Sequence, residues 1–365
     1  MLRLYYKMII KKYNAICNLG QNIDDIYKKA IVGDNTHFDY LQNNRLALIK
    51  CDLPNINDEA YNLRCNKLLL KVLEPLEIEK LDKKTTAIVV ATTNSGVEEY
   101  ETSKNSKHFQ IGNPAEFLHN YYEFKNYYTS VSTACSSGIK AFAIAKELLD
   151  LSIAETVIVA GVDSIAKVPV YGFDSLEILS KDVTIPFSEN RKGINIGEGA
   201  AAFIVQKEGA GIEITGIGET TDFYHSTTPD PMWIEAKKAI EFALGEMNPD
   251  EIDYINLHGT GTHSNDLMEA KIISEIFGNN VPASSTKPLT GHCLGAAASI
   301  EAALCCKLLE SNTNQVFPHI YDNKYDKNLP QIWLADVNTK TKIIKTCLST
   351  SFGFGGTNCA MVLRT

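Results

Sequence analysis

The sequence predicts an α/β fold built in layers, with helices sandwiched between sheets, and three observations predict it. Near-continuous apolar runs such as Thr86–Thr92 (TAIVVAT) and Thr156–Val162 (TVIVAGV) alternate with helical patterns along the chain. Such runs are how a strand buried on both faces reads. Two helical stretches, Ser137–Asp150 and Leu294–Glu310, are apolar almost all round and so belong inside the molecule. Both open on a matched signature, Thr133-Ala-Cys135-Ser-Ser-Gly138 and Thr290-Gly-His292-Cys-Leu-Gly295. Equivalent openings in the two halves suggest an internal duplication, with Cys135 and His292 at corresponding points.

In chain order, Ile23–Ile31 and Ala60–Leu76 read as helices and Thr86–Thr92 as the first buried strand. Glu101–Gln110 is polar and reads as an exposed loop. The first central helix follows, then strands Thr156–Val162 and Ala201–Gln206. A seam near Lys207–Gly211 divides the chain into two similar halves, 1–207 and 208–365. The second half reads as helix Trp233–Leu244, strand Ile252–Leu257, helix Asn265–Phe277, the second central helix, and strands Ile343–Ser351 and Ala360–Leu363. Pro229–Met232 and Tyr321–Asn328 are further loops. Alternation of this kind around two central helices gives α/β layers.

A chain of 365 residues, 44% hydrophobic and 22% charged, has the composition of a soluble globular protein with room for a large core. A formal net charge of −9 argues against a general nucleic-acid role. Nine cysteines without a CxxC pair make neither a disulfide nor a zinc framework, and such thiols fit a reducing compartment. No apolar run approaches the ~18–20 residues of a membrane span. Basic residues interrupt the apolar stretches of Met1–Lys12, so a signal-peptide core is not expected. The expected location is the cytoplasm.

Cys135 stands at the opening of a buried helix, where free N–H groups and the macrodipole favour negative charge. A free cysteine titrates near about 8.5 and this setting lowers it, so a reactive thiolate is expected. The plain alternative is a small buried hydrophobe. His258 ends an apolar strand beside glycines (Ile252 to Thr262), a placement that points into a pocket, and Lys287 lies five residues before His292. The turn Gly353-Phe354-Gly-Gly can bring backbone N–H groups to a ligand. It lacks the lysine and the following helix of a phosphate loop. One thiol and two histidines suit thioester chemistry: the sulfur takes an acyl group, and neutral imidazoles donate to an enolate formed as a malonyl thioester loses carbon dioxide. A metal is the competing use of the histidines, but no HExxH or closely spaced Cys/His set accompanies them. No metal is expected.

Four blocks carry a family resemblance: TACSSG around Cys135, HGTGTHSND from His258, STKPLTGHCLGAA around Lys287 and His292, and SFGFGGTN near the C-terminus. Together they resemble the signatures of β-ketoacyl-[acyl-carrier-protein] synthases of the elongating kind, with a Cys-His-His triad. The resemblance implies a thiolase-like fold, a duplicated αβαβα arrangement that is normally dimeric. It implies decarboxylative Claisen condensation of a Cys-bound acyl group with a malonyl group. Cys135 would be the acylated nucleophile, His258 and His292 would promote decarboxylation, and Lys287 would hold the electrostatics. Glu269 would support the site. The N–H groups of Cys135 and Phe354 would form the oxyanion hole, and Phe354 would gate the acyl pocket. Thr260 and Thr262 match positions that meet a phosphopantetheine arm, and Phe173 would line the acyl channel. Asp266 and Asn358 are expected to be structural.

The same resemblance implies no cofactor of the chain's own, since substrates ride on the phosphopantetheine of an acyl carrier protein. It implies a homodimer, or a heterodimer with a second ketosynthase-like chain. Arg64, Lys67 and Lys71, at helical spacing, roughly match a family docking helix for the acidic carrier, and an ordinary solvated helix face is the equal alternative. The alternative function is a non-catalytic partner like a chain-length factor; such chains usually lose the cysteine, and Cys135 is kept. Two departures stand out: Ile9–Gly20 replaces the usual glycine-rich first strand, and the segment from Thr93 to Cys135 is short. Acyl-chain length and pathway, whether fatty acid, polyene or polyketide, therefore do not carry over.

Overall fold

The computed structural model describes residues 7–41 and 44–365, so the first six residues of the basic N-terminal stretch lie outside it. The strands of the first half are β1 (Met8–Cys17), β2 (Asp39–Leu41), β3 (Asn44–Leu46), β4 (Thr86–Ala91), β5 (Tyr128–Val131), β6 (Thr156–Asp163) and β7 (Gly199–Gln206). Those of the second are β8 (Ile212–Thr221), β9 (Tyr254–Asn256), β10 (Ala283–Ser284), β11 (Thr346–Phe352) and β12 (Thr357–Arg364). Helices α1 (Ile23–Ala30), α2 (Arg64–Leu73), α3 (Val97–Ser103), α4 (Asn113–Tyr121), α5 (Ser137–Asp150) and α6 (Lys167–Ser175) belong to the first half. Helices α7 (Ile234–Leu244), α8 (His263–Phe277), α9 (Lys287–Thr290) and α10 (Ala297–Glu310) belong to the second.

Ten strands pair in the order β10-β9-β11-β12-β8-β1-β7-β6-β4-β5, with β2 and β3 a separate hairpin. That order holds one pattern twice. Counted within its own half, each set of five strands runs third, second, fourth, fifth, first from outer edge to centre. In both halves the second strand lies parallel to the third and fourth. In both, the fifth is antiparallel to the fourth and first. The halves join where Met8–Ile10 pairs with Ile212–Ile214.

Burial follows the layers. Val89, Val159 and Phe203 from one half-sheet share a core with Tyr254, Cys347 and Met361 from the other, and α5 and α10 fill the space between. Opposite faces of the half-sheets pack on α2 and α4 (Leu68, Leu69, Phe117) and on α7 and α8 (Ile240, Ile272, Ile273). The result is αβαβα. α10 is buried along nearly its whole length and is apolar because a polar face would meet no water, while α5 keeps a polar edge at Lys140, Lys146, Glu147 and Asp150.

Some boundaries moved. Strand Ile252–Leu257 shortens to β9, the run from Ile343 becomes a strand only at Thr346, and the opening of Leu294–Glu310 is a 3₁₀ turn over Leu294–Ala296. The first residues of the loop expected at Glu101–Gln110 form the last turn of α3.

Candidate active site

The duplication explains how the site is assembled. Cys135 follows the third strand of its half and precedes central helix α5; His292 follows the third strand of the other half and precedes α10. The residue before each has a left-handed backbone, Ala134 at φ +52° and Gly291 at φ +67°. This bend turns the chain sharply just before each reactive side chain. Cys135 itself lies two residues ahead of α5, not inside its first turn. His258 leaves β9, and Phe354 sits in the turn joining β11 to β12.

These side chains converge. Cys135 Sγ lies 3.0 Å from His292 Nε2. The sulfur and one nitrogen of each imidazole are all within 4.8 Å of one another. The rings of His258 and His292 stand nearly perpendicular with centroids 5.5 Å apart. Behind them Lys287 Nζ reaches His258 Nδ1 at 3.3 Å and Glu301 Oε1 at 2.6 Å. Because the ammonium can only donate, Nδ1 of His258 accepts and Nε2 carries the proton that faces the cleft.

The electrostatics correct one expectation. Burial pushes the Cys135 thiol up to about 11, and the Lys287 ammonium and the Phe354 N–H only partly counter it. Desolvation of the charged form outweighs the helix opening, so the resting group is the thiol. Its proton therefore needs an acceptor, and His292 Nε2 is in place. Burial, then the charge of Lys287, holds both imidazoles well below the usual histidine range, so both are neutral at neutral pH. His319 is likewise lowered, to about 4, by burial; its Nδ1 accepts the Ser285 N–H and its Nε2 donates to Pro186 O.

A pH dependence follows from these three rings. Each folded-state value lies below the ordinary 6.5, so the stability they carry is whole above that pH and drains as pH falls through the folded values. Thermal unfolding by calorimetry is expected to show Tm falling from pH 6.5 towards 4. Glu269, raised to about 7, and Asp266, raised to about 6, both by burial, act in the opposite sense, so the share of one ring is read from His319→Gln, which should lessen the fall; an unchanged slope would remove that ring from the account.

Glu269 accepts the N–H groups of His258 and Gly259 and the Thr350 hydroxyl, each at 2.7 Å, and so holds the loop after β9. Asp266 accepts the N–H groups of Gly261 and Phe187. Asn358 donates to Asp222. Thr260, Thr262, Phe173 and Phe354 line the cleft with the triad, and the two phenylalanine rings lie 5.6 Å apart. The thiol and imidazoles stand close enough to share a metal ion, but the Lys287 ammonium against His258 makes the local field oppose a cation.

Sequence reasoning missed Glu301, the buried partner of Lys287; the one charged residue in the otherwise uncharged stretch Ala297–Cys306 was the available signal. It also missed the Asp222–Pro229 side of the cleft, for which no motif existed. Arg64, expected as a docking charge, is engaged in an ion pair within the fold. Its guanidinium makes two bonds, at 2.7 and 2.6 Å, to buried Glu198, and a third to Ile49 O. Lys71 pairs with Glu74, and α2 mostly faces the core.

Fold and site together define a thiolase-like protein with a thiol and two imidazoles in one cleft. A model of the β-ketoacyl synthase N-terminal domain matches residues 71–210, and one of its C-terminal domain matches 212–320. The chain belongs to the β-ketoacyl synthase family. It is 34% identical over 248 residues to nodulation protein E of Rhizobium leguminosarum bv. trifolii, covering 64% of this chain and 60% of that protein. With 3-oxoacyl-[acyl-carrier-protein] synthase 2 of Coxiella burnetii it shares 33% over 263 residues, 66% of this chain and 63% of the relative. The chain thus spans about three fifths of the length of these curated relatives. A solved complex of a ketosynthase with its chain length factor from Xenorhabdus doucetiae superposes with TM-score 0.90 and 33% identity, over 100% of this chain and 99% of the other.

Proposed function

We propose that this chain is an elongating β-ketoacyl-[acyl-carrier-protein] synthase. The observation that carries the reading is the meeting of Cys135, His258 and His292 in one cleft, with Lys287 behind His258. As Cys135 attacks an acyl thioester, His292 Nε2 takes the thiol proton and returns it to the departing thiol, leaving an acyl-cysteine. A malonyl thioester then binds with its carbonyl oxygen toward the Nε2–H of His258, whose Nδ1 faces Lys287. Its carboxylate leaves as carbon dioxide, and the electron pair becomes an enolate that this donor stabilises. The enolate carbon attacks the acyl-cysteine, whose oxyanion faces the N–H groups of Cys135 and Phe354; both already act on the sulfur. Collapse expels the cysteine thiolate, which takes up a proton from water to restore the thiol, and releases the β-ketoacyl thioester.

On this reading the substrates arrive on the phosphopantetheine of an acyl carrier protein, no resident cofactor or metal takes part, and the chain works in the cytoplasm. Among the described residues no helix is long and apolar enough to cross a membrane. A second synthase-like chain, a copy or a relative, would pair along β5. That strand ends the sheet with an open edge, and Tyr121, Tyr127 and Tyr128 are exposed around it. Intact-mass spectrometry of the protein incubated with a panel of acyl-carrier thioesters tests the proposal. A mass gain equal to one acyl group, mapped to Cys135, is expected; a chain that every thioester leaves unmodified overturns it.

A further inference from the structure

We propose that an apolar collar at the mouth of the cleft, centred on Phe223, is the surface on which the acyl carrier protein lands. This rests on the condensing reading above and deepens it by naming the partner's contact. Phe223 is 93% exposed, and Met232 (70%), Tyr224 (55%) and Ile234 (48%) stand near it in the chain. The bond from the Asp230 N–H to Asp222 closes the stretch between them into a loop, and large apolar side chains with that much exposure in and beside one loop are the material of an interaction surface.

The collar is continuous with the site. Asp222 and His225, which flank Phe223 and Tyr224, line the cleft, as do Thr227, Thr228 and Pro229. Phe223 is also held at φ +53°, a left-handed conformation unfavourable for a bulky side chain. The segment is pinned there from both ends. Asp222 accepts from Asn358 Nδ2 (2.5 Å) and from the Asp230 N–H (3.1 Å), and its own N–H donates to Gly356 O (2.8 Å). Gly355 N–H in turn donates to Ser226 O at 2.7 Å. An observed backbone outlier that presents a ring to solvent beside a reactive cleft motivates a functional reading.

The geometry of delivery selects the occupant. A thioester tethered to a carrier reaches Cys135 only when the carrier sits over the opening, and this segment forms one side of that opening. A carrier seated there covers the ring, which then acts as a desolvated aromatic anchor.

Two variants test the idea, Phe223→Asn, a residue comfortable at positive φ, and Met232→Gln. Each is assayed with acyl and malonyl groups on the carrier protein and, in parallel, with the same groups as free pantetheine thioesters. For the Phe223 variant KM for carrier-borne substrate is expected to rise about tenfold, the scale of losing an aromatic anchor. Met232→Gln is expected to raise it less. Kinetics with the free thioesters should stay unchanged, and Tm should not fall. Equal changes with both substrate forms, or no change with the carrier, would overturn the proposal. So would an unchanged carrier KM with loss of the dimer in light scattering, which assigns the collar to a contact between synthase chains. Failure of the condensing reading itself looks different: the wild type is then inert toward both substrate forms, and proposal and reading fall together.

Discussion

Replacing Cys135 with alanine is expected to end self-acylation and lower condensation by roughly 10⁴-fold or more, while malonyl decarboxylation continues. The asymmetry comes from the division of labour in the cleft. On the proposed function acyl transfer needs the sulfur, whereas loss of carbon dioxide needs only the His258 N–H at the thioester oxygen, and both imidazoles keep their positions without the sulfur. His292 is anchored through its backbone, with its N–H on Asn195 O and its carbonyl on Gly197 N–H. His258 is held by Glu269 and Lys287. Carbon dioxide release and product formation can be followed in the same reaction. Condensation at the wild-type rate would end the nucleophile assignment.

The second large effect concerns the buried pair behind the imidazoles. Lys287 and Glu301 side chains are 1% and 2% exposed, with Nζ and Oε1 2.6 Å apart. Glu301→Leu strands an ammonium in the core and is expected to cost about 3–5 kcal/mol of stability, a large share of the roughly 5–15 kcal/mol that holds a protein folded. The double variant Lys287→Met/Glu301→Leu removes both charges and is expected to fold, because replacing a whole buried pair by apolar groups is often neutral. Its pH profile then reports on Lys287. Removing the ammonium takes away the second cause that lowers His258 and His292, so their values rise and the acid limb of kcat moves to higher pH. Chemical denaturation of the single and double variants gives the first result, and rate measurements across pH give the second. A Glu301→Leu protein as stable as the wild type would refute the account of the pair.

Much of this was legible in the chain. Strands buried on both faces declared themselves by apolar runs, and the paired openings before the two central helices exposed the duplication. What stayed hidden has physical reasons. β8 reads as Ile-Glu-Ile-Thr-Gly-Ile-Gly, and its glycines suggest a loop. They are there because α7 packs so tightly that a side chain at Gly216 or Gly218 would run into the carbonyl oxygens of Ala243 and Ala239. β1 carries Lys11 and Lys12 in mid-strand, where the burial pattern opens briefly to solvent. β5 is a short, partly polar edge strand, which no periodicity rule separates from a loop. The thiol's acidity was misjudged because the chain shows the helix opening but not the depth at which the sulfur sits. Arg64 looked like a surface charge because Glu198, its partner, is 134 residues away.

The shared left-handed bend before Cys135 and His292 has a consequence for what half of this molecule could do. One fold unit contributes sulfur and no imidazole; its twin contributes both imidazoles and no sulfur at the matching place. On the proposed function, reactivity is thus a property of the apposition, and either piece alone would be chemically silent. A chain severed in the connection between β7 and β8 should regain turnover only when the separated pieces reassociate.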